Sequence, residues 1–162
     1  MKKLFLTLII AFSITISSKA QEGFSAQAGL SLVNTSVEVM GASASESEIG
    51  FYAGAGYQFD LSDKIALQPS LLFSLVKDLN SLYVPVMVKY NITDKFNIQA
   101  GPQINYLLED IDKGAFGIDV SAGLGYLISD KLYAQARYGL QVSRTIDNYD
   151  INTLHIGIGY NF

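Results

Sequence analysis

A period of two constrains this chain more than anything else in it. Eight stretches repeat that period, and each sorts very different residues onto its two sides. In residues 116–128 one side holds Phe116, Ile118, Val120, Ala122, Leu124, Tyr126 and Ile128. The other holds Gly117, Asp119, Ser121, Gly123 and Gly125. Successive side chains of a strand point to opposite faces, so the alternation predicts strands with one apolar face. The eight predicted strands are Phe24–Val33, Ile49–Asp60, Ile65–Leu75, Leu82–Asn91, Phe96–Leu107, Phe116–Ile128, Leu132–Val142 and Ile151–Phe162. Each has the roughly 9–11 residues needed to cross a hydrocarbon layer at a tilt.

Three of the connections are one short turn used repeatedly: Ser62-Asp63-Lys64, Thr93-Asp94-Lys95 and Ser129-Asp130-Lys131. Ser, Thr and Asp side chains can bond nearby backbone and close such turns. Tight turns alternating with longer connections predict an up-and-down antiparallel sheet with the tight turns at one end. Lys64, Lys95 and Lys131 stand where a three-residue loop prefers Gly, which points to a longer loop geometry. Pro69, Pro85 and Pro102 fall inside strands, so bulges or kinks are expected there.

The direction each face looks decides the compartment. The face opposite the apolar one carries Gly54, Gly56 and Gln58, then Gln68, Ser70 and Ser74, then Asn97, Gln99, Gln103 and Asn105. Later strands add Gln135, Arg137, Gln141, His155, Gly157 and Gly159. An eight-stranded barrel has an interior just wide enough for side chains, so small and amide groups fit inside it. The bulky apolar face then meets lipid, and closure removes the sheet edges that lipid does not tolerate. Of the 17 Phe and Tyr after residue 20, 13 lie on the apolar register, many near strand ends. Two such bands are the girdles of a membrane barrel. The fold class expected is therefore all-β, an eight-stranded antiparallel up-and-down transmembrane β-barrel. A soluble ligand-binding barrel of the lipocalin type is the alternative, and the polarity of the faces argues against it.

Residues 1–20 have their own character. Met1-Lys2-Lys3 is followed by the apolar run Leu4–Ile16 and by Ser18-Lys19-Ala20. This reads as a secretory signal peptide, with cleavage expected after Ala20 and a barrel domain over residues 21–162. Without Lys2, Lys3 and Lys19 the chain holds 8 basic against 15 acidic residues, a formal charge of −7. That charge repels nucleic acid. The chain has no Cys, which excludes disulfides, thiolate metal sites and lipid attachment at an N-terminal Cys.

The segment Tyr83-Val-Pro-Val-Met-Val-Lys-Tyr90, the turn Thr93-Asp94-Lys95, and Phe96-Asn-Ile-Gln-Ala-Gly-Pro-Gln-Ile-Asn-Tyr106 resemble the PorT-like family of small bacterial outer-membrane β-barrels. The likeness continues through Gly123-Leu-Gly-Tyr126 and the last short turn to the C-terminal aromatic. It implies the barrel fold, the outer membrane and, more loosely, an accessory role in protein secretion. It supplies no catalytic residue. The ending Leu154–Phe162 resembles the terminal signal read by the barrel-assembly machinery.

With both termini in the periplasm, the longer connections face outward. They are residues 34–48, expected to be mobile, and residues 76–81, 108–115 and 143–150. Together they hold nine acidic and three basic residues. Glu109-Asp110-Ile111-Asp112-Lys113-Gly114 lacks the third acidic position and the distal Glu of a calcium loop. A solvated charge run is the better reading, so no metal is expected. The inward register carries Lys89, Asp119, Arg137 and His155. Charges in a narrow interior need partners, so Arg137 is expected to pair with Asp119, with His155 on the neighbouring strand. A packing network is favoured over a proton or ion path. The lone His lacks a companion Ser and acid, so neither an enzyme nor a cofactor is expected. The expected partners are outer-membrane lipid and lipopolysaccharide along the wall, the assembly machinery at Phe162, and surface or secretion partners at the loops.

Overall fold

The three short turns close in one common way, and the hydroxyl does it. The backbone N–H of Ile65 donates to Ser62 Oγ at 3.1 Å, that of Phe96 to Thr93 Oγ1 at 3.0 Å, and that of Leu132 to Ser129 Oγ at 3.1 Å. The N–H groups of Leu61, Ile92 and Ile128 donate to the carbonyls of Ile65, Phe96 and Leu132 at 2.8–2.9 Å. None of the three lysines has a positive φ; among described non-glycine residues only Asp78 does, at 56°. Lys is tolerated because these turns never ask for the left-handed conformation that favours Gly.

In this computed structural model, which describes residues 23–39, 42–108, 116–144 and 149–162, the turns join eight strands. They are β1 (Gly23–Val39), β2 (Ala42–Asp60), β3 (Ile65–Leu75), β4 (Ser81–Asn91), β5 (Phe96–Leu107), β6 (Phe116–Leu127), β7 (Leu132–Arg144) and β8 (Tyr149–Asn161). Each pairs antiparallel with its sequence neighbours, and β1 pairs with β8 to close the barrel. No described helix is long and apolar enough to cross a membrane. The predicted signal segment and the acidic run at 109–114 lie outside the described residues.

The faces sort as the alternation predicts. Leu124 is 50% exposed on the outer wall, whereas Gln99 and Gln135 are buried inside. Tyr57 and Val86 stay half-exposed on the outer face. The interior is less polar than expected, however. Tyr52, Leu72, Tyr83, Met87 and Tyr133 are all buried in it. Volume explains this. Glycines on β8 remove material, and the rings of Tyr52 on β2 and Tyr133 on β7 fill the space. A Cβ on Gly159 would lie 2.1 Å from Tyr133 Cζ, and one on Gly157 would lie 2.5 Å from the Tyr52 hydroxyl.

Two other expectations change. Residues 34–39 and 42–48 form no loop: the β1·β2 ladder runs unbroken from Gly23↔Gln58 to Val39↔Ala42. β8 supports it as far as Val37↔Tyr149, and Asn34 Nδ2 donates to Ser47 Oγ at 2.8 Å. The low-complexity Ala/Ser/Glu run hides this strand, because a partner rather than its own propensity holds it extended. The prolines produce no register shift. Instead the ladder loses two rungs beside each of them, β2·β3 at Pro69, β3·β4 at Pro85 and β4·β5 at Pro102, then resumes in the same register. A missing N–H deletes a bond without adding a residue. The register shift lies instead on β6·β7 at Ile118/Asp119.

Candidate functional site

The inner wall carries two polar networks with an aromatic layer between them. The outer network surrounds Asp119, which β6 places inside the lumen beside that register shift, with no exposed surface. Gln103 Nε2 donates to Asp119 Oδ2 at 2.8 Å and Asn105 Nδ2 to Oδ1 at 2.7 Å, both from β5. Asn105 Oδ1 in turn accepts from Arg144 Nη2 at 2.7 Å, and Arg144 Nε donates to Gln141 Oε1 at 2.7 Å. Gln141 Nε2 reaches Asp150 Oδ1 at 3.3 Å, so a chain of bonds runs from the rim to the buried carboxylate. The β7·β8 ladder stops at Gly139↔Thr153, and side chains take over beyond it. There the Gln141 N–H donates to Asn152 Oδ1 at 3.1 Å and the Ile151 N–H to Gln141 Oε1 at 3.0 Å. Buried backbone donors need partners, and these amides supply them where the strands part.

The inner network lies nearer the short turns. Arg137 Nη2 donates to Gln27 Oε1 at 2.7 Å, and Gln135 Nε2 donates to the same oxygen. Lys89 Nζ donates to Gln58 Oε1 at 3.2 Å and lies 5.2 Å from the Tyr133 ring centroid. Gln58 Nε2 donates to Asp60 Oδ1 at 2.9 Å. Neutral amides thus meet both buried cations directly.

Between the networks, Tyr52, Leu72 and Tyr83 pack as one cluster. His155, 1% exposed, sits with its ring 4.9 Å from Tyr52 and 5.0 Å from Tyr83. A second apolar cluster, Val33, Val76, Leu107 and Ile151 with Leu79 against it, packs towards the outer end.

All four residues singled out in the sequence lie buried in the lumen: Lys89, Asp119, Arg137 and His155. Arg137 and His155 are cross-strand partners on β7·β8. The expected pairing of Arg137 with Asp119 is not formed. On β6·β7, Arg137 stands opposite Gly123 while Asp119 stands opposite Gln141. That four-residue offset is about 13 Å at roughly 3.3 Å per residue. Arg144, one amide away through Asn105, is the cation linked to Asp119; the alternation ends at Val142 and so puts Arg144 in the 143–150 connection. Lys89, Gln99, Gly123, Arg137 and His155 follow one another as ladder partners across five strands. Strands in a barrel tilt, so such a row climbs the axis and its members sit at different depths. Among described residues no group of three or more His, Asp or Glu could hold a metal ion.

The outer membrane protein beta-barrel domain family matches residues 9–162. No curated protein matches the chain by sequence. Among solved structures, Neisserial surface protein A is similar with a TM-score of 0.59 and 16% identity, covering 86% of this chain and 97% of its own. Ail, the attachment invasion locus protein of Yersinia pestis, is similar at 0.54 and 17% identity, covering 88% of this chain and all of its own. A de novo designed transmembrane β-barrel matches at 0.54 and 18% identity, covering 91% of this chain and all of its own. At these identities the likeness is one of fold.

Proposed function

Because this chain belongs to the outer membrane protein beta-barrel domain family, and stands in the outer membrane as an eight-stranded barrel, we propose that it is a non-catalytic envelope protein. Its role is structural support and contact at the cell surface, with a lumen closed to solutes of porin size. The observation that carries this reading is the packing of Tyr52, Leu72, Tyr83 and His155 inside the lumen, with the Tyr52 hydroxyl held by Gln135 Nε2 at 3.5 Å. Conduction needs a hydrated path, and this packing interrupts it. The tall β8–β1–β2 rim, held to Val37↔Tyr149, supplies the surface for contact. Recording purified protein in planar bilayers tests the closed lumen: a flat baseline is expected, and stable large openings would refute it.

In this reading the signal peptide leaves after Ala20, and lipid and lipopolysaccharide surround the wall. The assembly machinery reads the last strand. Phe162 is 70% exposed, its N–H donates to the Phe24 carbonyl at 3.0 Å, and its ring lies 5.3 Å from Tyr160. A PorT-like accessory role in secretion is the second reading, favoured by the Tyr83-x-Pro85 and Ala100-Gly-Pro-Gln103 hairpin of β4 and β5. A deletion strain separates the two. Lost export of cargo favours secretion, and altered adhesion or envelope integrity with intact export favours the surface role.

A further inference from the structure

At its short-turn end the lumen holds a cavity of about 40 Å³. That is room for about three to four water-sized groups, each needing roughly 10–15 Å³, which is the size of a compact four-oxygen anion. Gln58, Lys89, Asn97, Gln99, Tyr133 and Gln135 line it, with Asp94 and Lys95 of the β4–β5 turn also on its wall. The chemistry of this lining is unbalanced. Lys89 is 7% exposed, and the hydrogen bond described for its ammonium goes to a neutral amide, Gln58 Oε1. An ammonium carries three donors, so two remain for other acceptors. Among described residues no carboxylate forms an ion pair with it, and the nearby Asp60 carboxylate accepts from Gln58 Nε2. On the same wall Gln99 Oε1 and Asn97 Oδ1 are buried acceptors without a partner, and Gln99 is 3% exposed. Buried charge wants a counter-charge, and buried acceptors want donors.

We propose that this cavity binds a small protonated oxyanion of the dihydrogen phosphate type, anchored by the Lys89 ammonium. Such a group does both jobs at once. Its anionic oxygens accept from Lys89, and its hydroxyls donate to Gln99 Oε1 and Asn97 Oδ1. A phosphodiester headgroup or sulfate has the charge but no proton to give, and chloride has neither proton nor oxygen. In the exposed turn, Lys95 and Asp94 offset one another, so Lys89 is the cation that sets the sign of the cavity. The site opens towards the compartment that the short turns face, which in the proposed orientation is the periplasm.

The test uses the full barrel, labelled with nitrogen-15, in a sugar-headed detergent that carries no phosphate of its own. Inorganic phosphate is titrated at constant ionic strength while the side-chain amide signals of Asn97 and Gln99 are followed. A saturable shift is expected, with sulfate at least about tenfold weaker, as loss of hydrogen bonds to a charged group implies. Lys89→Met, which keeps the buried stem, should abolish the response, and Lys95→Met should leave it within a few-fold. Should Lys89→Met fail to fold, Gln99→Leu must weaken phosphate about tenfold, because it deletes one of the acceptors. A response that is absent, linear with concentration, equal for sulfate, or unchanged by Lys89→Met and Gln99→Leu would overturn the site. The first of those outcomes leaves water as the occupant.

Discussion

Glycine at position 159 is predicted to exist for the sake of one tyrosine. Tyr133 and Gly159 are cross-strand partners on β7·β8, and the ring lies over the bare backbone opposite. An alanine Cβ at 159 would stand 2.1 Å from Tyr133 Cζ and 2.3 Å from its hydroxyl oxygen. Ordinary carbon contacts are about 3.5–4.0 Å, so the ring must retreat by about 1.5 Å. Its retreat is limited to the cavity of about 40 Å³ on whose wall it lies, and its face carries the Lys89 ammonium at 5.2 Å. Overpacking of this kind costs about 1–3 kcal/mol, and loss of a desolvated cation–π contact costs about 1–2 kcal/mol. Gly159→Ala should therefore lose about 2–4 kcal/mol. Tyr133→Ala should lose about 3–5 kcal/mol, the range for emptying a large aromatic site. With the ring gone, adding the methyl group should cost nothing, and the lower backbone entropy of Ala in a strand should gain about 0.5–1 kcal/mol. A double-mutant cycle is then expected to return a coupling of about 2.5–5 kcal/mol. The chain has no Trp, so the assay is reversible urea unfolding followed by far-ultraviolet circular dichroism. Additive losses, with coupling under about 0.5 kcal/mol, would refute the ring-on-glycine argument.

Two further outcomes follow from the networks and the rim. Asp119→Asn turns one of the two acceptor oxygens facing Gln103 and Asn105 into an NH2 group, setting donor against donor. It should cost about 1–3 kcal/mol in the same unfolding assay, and a neutral or stabilising result would mean that the buried charge is not held as described. Hydrogen exchange should find the amides of residues 35–37 protected, because β1 pairs there with both β2 and β8. Exchange at the rate of free peptide would restore residues 34–48 to a loop.

The sequence makes one coordinate of this barrel legible and hides the other. Period-two alternation assigns each residue to a face, which is why Gln99, Arg137 and His155 fall inside and Leu124 outside. It carries no information about depth, because depth depends on strand tilt and stagger. Arg137 and Asp119 share a face and neighbouring strands, yet stand four rungs apart. The rings of Tyr52, Tyr83 and Tyr133 break the apolar register in the sequence, and the gaps at Gly157 and Gly159 give Tyr52 and Tyr133 their room inside. The Ala42–Glu48 run reads as a loop by composition, and pairing with β1 makes it a strand. The short turns were readable down to the hydroxyl, since their bonds lie within five residues of chain.

Orientation of the two faces underlies the whole account, and spin labels test it most directly. Single cysteines at Val86, Leu124, Gln99 and Gln135 are labelled in turn in the barrel reconstituted into lipid vesicles. Collision rates with oxygen, which concentrates among acyl chains, are then measured. Labels at Val86 and Leu124 should collide freely with oxygen and stay mobile, and those at Gln99 and Gln135 should be immobile and shielded. High oxygen access at Gln99 and Gln135, with Val86 and Leu124 shielded, would turn the barrel inside out and contradict the account.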